Sequence, residues 1–96
     1  MIVAEFSIVP MGSGTSASSY IRAVHDLVRK SNAKFIPGPM STSVETKSFE
    51  ELFELIKKAN KELENLGVKR IVTSIRIDYR LDKEISMESK LKAISK

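Results

Sequence analysis

Ninety-six residues bound the chain to one domain, 1–96, near the lower end of the range in which a single core suffices. Hydrophobic residues at 42% and charged residues at 29% are ordinary for a globular fold, and the absence of cysteine excludes a disulfide framework, a thiol nucleophile and a thiolate metal site. The net charge of +4 is spread over Arg22, Lys34, Lys57, Lys69, Arg80 and Lys92 among acids, where a nucleic-acid surface would gather it on one face.

No apolar run approaches the roughly 20 residues that span a bilayer. The N-terminus also lacks the basic segment and apolar block of a signal peptide, so the expected location is cytoplasmic. No nucleic-acid or membrane partner is expected.

Ile2 to Val9 alternates, with Ile2, Ala4, Phe6 and Ile8 on one face and Val3, Glu5, Ser7 and Val9 on the other. This is the period of a strand, and Pro10 is expected to end it. The loop Met11-Gly12-Ser13-Gly14-Thr15 leads to a helix with Ser16 or Ser18 as candidate N-cap. Tyr20, Ile21, Val24, Leu27 and Val28 recur at helical spacing until Ser31-Asn32. A short strand, Lys34 to Pro37, turns through Gly38-Pro39-Met40 into a second one, Thr42 to Thr46, and its prolines mark an edge.

Ser48 with Glu51 forms a capping box for a helix that buries Phe49, Leu52, Phe53, Ile56, Ala59, Leu63 and Leu66. Gly67 supplies its stop. Ile71 to Tyr79 is a fourth strand, with Ile71, Thr73, Ile75 and Ile77 on one face. A last amphipathic piece carries Met87, Leu91 and Ile94 at i, i+4 and i+7.

The order β-α-β-β-α-β is the split βαβ pattern. It predicts an α+β, ferredoxin-like domain: a four-stranded antiparallel sheet, two helices on one face and a short C-terminal helix. Phe6, Ile8, Val44, Ile75 and Ile77 then lie under the helices. Glu5, Ser7, Ser43, Glu45, Ser74, Arg76 and Asp78 remain on the open face, either simply wet or arranged to hold a polar ligand.

Several chemistries fail on their own residue requirements. Gly12-Ser13-Gly14-Thr15-Ser16-Ala17 matches G-x-G-x-x-A, but no acidic residue ends the second strand, where Phe35-Ile36-Pro37 stands, and the next strand returns by a hairpin. The loop either binds an anion through backbone amides or is a tight connection. His25, the single histidine, shares a helix face with Arg22 and Arg29 and reads as a surface residue, so no Ser-His-Asp site assembles around it. Carboxylates alone specify no metal site. RNA binding of the RRM type needs aromatics where Glu5, Ser7, Ser43 and Glu45 stand. No catalytic residue, metal ligand or cofactor is assigned.

Three stretches carry a family resemblance. Val9-Pro10-Met11-Gly12-Ser13-Gly14-Thr15-Ser16 with Ser19-Tyr20 is similar to P-[LM]-G-x-G-x-S followed by Y. Gly38-Pro39-Met40-Ser41-Thr42-Ser43-Val44-Glu45 is similar to P-M-x-T-x-[IV]-E, and Lys69-Arg70-Ile71 with Ile77-Asp78-Tyr79-Arg80-Leu81-Asp82-Lys83 to R-[IV] and I-D-x-R-x-D-K. These motifs resemble the small, stand-alone thiamine-binding proteins of ferredoxin-like fold. The family often has glycine where this chain has Ser41 and Thr46.

The resemblance implies non-enzymatic binding of thiamine or a related small molecule, on the open sheet face or at a subunit interface. It implies a homo-oligomer, expected as a tetramer built from two dimers. The implied ligand-binding residues are Ser7, Gly12, Ser16, Thr42, Ser43, Glu45, Asp78 and Arg80. Thiamine's thiazolium cation favours carboxylates or aromatics, and its aminopyrimidine suits carboxylates and hydroxyls. Glu45 is the expected anchor, unless it forms a structural ion pair with Arg76 or a neighbouring subunit. The alternative is an ACT-like regulatory domain that binds an amino acid between protomers. A small enzyme such as an acylphosphatase needs an arginine in the first loop, and Pro10 to Ser16 has none.

Overall fold

Alternating and helical periodicities of the chain translate into seven elements in the computed structural model, which describes residues 1–12 and 17–95. They are β1 (Ile2–Met11), α1 (Ser18–Lys30), β2 (Lys34–Pro37), β3 (Thr42–Thr46), α2 (Phe49–Asn65), β4 (Arg70–Asp78) and α3 (Met87–Ile94). The strands form one antiparallel sheet in the order β2-β3-β1-β4. This is the ferredoxin-like α+β architecture. Val24 and Val28 of α1 and Leu52, Leu55, Ile56, Ala59 and Leu63 of α2 pack on Ile2, Ala4, Phe6, Ile8 and Val44. Ile75 packs on this core as expected, whereas Ile77 is 37% exposed.

Pro10 does not end β1. The strand pairs with β4 from Val3↔Asp78 to Met11↔Arg70, but with β3 only from Ile2↔Thr46 to Phe6↔Thr42. Beyond Phe6, one flank of β1 has no neighbouring strand among the described residues. Proline, which lacks an N–H, is admissible at such an edge.

Helix ends follow local chemistry. The Ser48 hydroxyl accepts from Glu51 N at 3.1 Å, while the Glu51 carboxylate accepts from Lys47 N rather than Ser48 N, so the expected box is half formed. At the other end Gly67 takes φ 93°. Its N–H donates to the Glu64 carbonyl, and Val68 N–H donates to that of Leu63, both at 3.0 Å. That pair of bonds is the Schellman arrangement, for which a residue without Cβ is preferred. The N-cap of α1 is Ala17, which has no side-chain acceptor; Ser18 is the first helical residue and Ser16 lies outside the described residues.

The second sheet face is only partly open. Ile85 and Met87, at the start of α3, pack on Val3. Ser86 caps α3 through a reciprocal pair, its hydroxyl accepting from Ser89 N while Ser86 N donates to the Ser89 hydroxyl. Of the apolar stripe on this helix only Met87 is buried; Leu91 and Ile94 are exposed.

Candidate ligand cavity

The notch left where β3 stops short of β1 is a cavity of about 160 Å³. Its walls are Phe6 to Pro10 of β1, Ile21, Val24 and His25 of α1, and Gly38 to Thr42 of the hairpin between β2 and β3. Gly38 makes that hairpin possible. Its N–H donates to the Ser41 carbonyl at 2.9 Å, and a Cβ there would meet that same oxygen at 2.7 Å, well inside contact distance. Thr42 is buried, and its hydroxyl lies 3.1 Å from His25 Nε2. The Ser41 hydroxyl donates to Glu5 Oε2 at 3.0 Å. Behind His25, the Phe35 ring lies 6.1 Å away centre to centre, with the Arg29 guanidinium 5.7 Å above it.

The residues expected to bind a ligand fall in different places. Ser7 and Thr42 line the cavity together. Gly12 follows β1 with φ 73°, and Ser16 is outside the described residues. Ser43 and Asp78 line a shallow depression on the other sheet face, beside Glu5 and Arg76. Asp78 is ion-paired there with Lys90, and Arg76 lies 3.1 Å from Glu5, not beside Glu45. Glu45 is 6% exposed and accepts from Met87 N at 2.8 Å, at the N-terminus of α3. It borders a groove of about 560 Å³ between α3 and the edge strand, together with Lys34, Ile36 and Leu91. Arg80 sits in an exposed loop and donates to Asp82 at 2.8 Å. That hydrogen bond holds the Asp82 carboxyl below its ordinary range and the Arg80 guanidinium above its own.

The sequence reading misplaced His25, as it did Phe53 and Leu66, which are exposed instead of buried. The histidine is half-buried in the cavity wall instead of facing solvent with Arg22 and Arg29. At 100° per residue His25 lies about 60° from Val28 and about 40° from Ile21, at the border of the apolar stripe. That border position was the available signal.

Hydroxyls, one imidazole and apolar walls suit a small, planar, partly polar molecule. No carboxylate is among the described residues that line the cavity, so nothing there orients the imidazole as in a hydrolytic triad. Among the described residues no three His, Asp or Glu side chains gather to hold a metal ion, and no helix is long and apolar enough to cross a membrane.

Comparison with known proteins decides the family. The model of the family described as thiamine-binding protein matches residues 4–95. The chain belongs to the thiamine-binding protein family. A UPF0045 protein of Methanocaldococcus jannaschii is 39% identical over 97% of this chain and 91% of its own. A solved structure from that organism superposes with TM-score 0.88 at 39% identity, covering 97% and 94% of the two chains. A Thermotoga maritima structure, of a protein provisionally assigned to thiamine biosynthesis or salvage, gives TM-score 0.85 at 26% identity, covering 98% of each. This member of the thiamine-binding family thus shares their fold along nearly its whole length.

Proposed function

We propose that this chain, acting as one ligand-binding domain over residues 1–96, binds thiamine or a thiamine-related small molecule without transforming it. The proposed site is the cavity between the end of β1, α1 and the β2–β3 hairpin. One observation carries the reading: two of the stretches that resemble the family, around Pro10 and from Gly38 to Thr42, converge on the same cavity. The aminopyrimidine would meet the hydroxyls of Ser7 and Thr42 and the remaining lone pairs of Ser41, while Ile21 and Pro39 supply apolar contact. Gly12 and Ser16 are assigned to the ligand by the family resemblance alone. Ser43, Glu45, Asp78 and Arg80 are given no ligand contact in this reading, because three of them already have partners within the chain and Ser43 lies on the opposite sheet face.

Self-association and a cytoplasmic setting complete the proposal. Exposed Ile36, Leu91 and Ile94 beside an edge strand support a homo-oligomer, with a tetramer of two dimers as the expected form. Light scattering that reports a monomer at micromolar concentration rejects this assembly.

Thermal unfolding tests the binding. Thiamine at 100 times its dissociation constant should stabilise the fold by about 2.7 kcal/mol. Thr42→Val keeps the shape and removes the hydroxyl, and should weaken binding about two- to tenfold, the worth of one neutral hydrogen bond. A response to an amino acid but not to thiamine, its phosphates or its pyrimidine moves the reading to the ACT-like alternative.

A further inference from the structure

Thr42 is the last residue of β3 that pairs with β1, so the hairpin wall of the cavity has no backbone ladder to that strand. Among the described residues, two side-chain hydrogen bonds tie it to its surroundings instead. Successive residues of an extended chain point to opposite faces, and these two neighbours use both. Thr42 reaches α1 on the helix side, its hydroxyl 3.1 Å from His25 Nε2. Ser41 reaches β1 on the second face, where its hydroxyl donates to Glu5 Oε2 at 3.0 Å. Gly38, Pro39 and Met40 are exposed, so packing does little to fix the tip. Glu5 is not among the residues lining the cavity; it stands in the depression beside Arg76. We propose, on the binding reading above, that Glu5 is a positioning residue of the ligand cavity, which fixes the hairpin wall through Ser41 without touching the ligand.

Glu5 is suited to this by its own anchorage. Its backbone is paired on both sides, with Ser43 of β3 and Arg76 of β4, so it does not yield with the hairpin. Its second oxygen, Oε1, lies 3.1 Å from Arg76 Nε. The Arg76 side chain is 87% exposed, and an ion pair so exposed contributes little. The bond from Ser41 is the one that reaches the cavity, and it acts there twice. It keeps the start of β3 from swinging away from β1, and it commits the Ser41 proton, so that the hydroxyl offers lone pairs to a ligand. The Ser41 carbonyl meanwhile accepts from Gly38 N at 2.9 Å, so one residue closes the turn and ties it to the sheet.

Calorimetric titration with thiamine, together with hydrogen exchange at the Gly38 amide, tests the assignment. Glu5→Ala should weaken binding roughly three- to tenfold, the worth of one hydrogen bond to a partly exposed carboxylate. Exchange at Gly38 should quicken while the amides of α2 keep their protection. Glu5→Gln keeps an oxygen that can accept from Ser41 and loses the charge that pairs with Arg76, so it should bind within about twofold of the unaltered chain. In a double-mutant cycle the losses from Glu5→Ala and Ser41→Ala should fall short of adding, because both remove the same bond. Unchanged affinity in Glu5→Ala, a loss that Glu5→Gln does not recover, or fully additive losses overturn the role of Glu5 and leave the proposed function standing. If the unaltered chain binds no thiamine, the proposed function falls. Gly38 exchange in Glu5→Ala then decides alone whether Glu5 holds the hairpin, an unchanged rate overturning it.

Discussion

The two ends of the sheet are closed to different degrees. Under α3, the Glu45 carboxylate meets the Met87 amide, Asp78 meets Lys90, and Ser86 and Ser89 satisfy each other. At the cavity end, β1 continues past the last residue of β3 that pairs with it, and Ser7 and Thr42 line the space so left, with Thr42 beside His25. A burial penalty on a carboxylate is offset wherever the chain itself provides a donor. Acidic residues on a sheet face are therefore poor guides to a ligand site when a later helix can dock on them. The proposed site follows instead from a strand that outruns its neighbour.

The largest effect that bears on this contrast is expected from Glu45→Ala. Removing the carboxylate leaves the Met87 amide unpaired at the foot of α3, and should cost about 1.5–3 kcal/mol in denaturant unfolding. Thiamine affinity of the folded fraction should stay unchanged. The opposite result, intact stability with lost affinity, would erase the contrast and restore Glu45 as the ligand's anchor. A smaller effect is expected from Ser86→Ala, which removes the cap of the same helix and should cost about 1 kcal/mol. Faster hydrogen exchange confined to α3, with the amides of β1 and α2 unaffected, would sharpen the view that this end is an internally satisfied unit.

Much of the fold was legible because each element carries a local signature. The alternation from Ile2 to Ile8 gave the core face of β1, and Gly67 gave the stop of α2 at the residue where the left-handed turn occurs. The parity of Val44 correctly turned Glu45 to the second face. What lay out of reach was its partner there, a backbone amide 42 residues further along, because no periodicity specifies where a terminal helix docks. Pro10 misled for a related reason: whether proline ends a strand depends on the neighbour's length, which is a tertiary fact. His25 sits on the border of a helical stripe, so its placement was settled by the hairpin that brings Thr42 alongside.

The long β1–β4 ladder also has a kinetic consequence. It joins Val3 to Asp78 and Met11 to Arg70, the first strand of the chain to the last, along one edge of the sheet. Contacts so distant along the sequence form only after a costly loop closure, which slows folding relative to helical proteins of similar size. Val3 lies in this ladder and also forms the floor beneath Ile85 and Met87. Docking of α3 is therefore expected to be the closing event of folding, following the pairing of the first strand with the last.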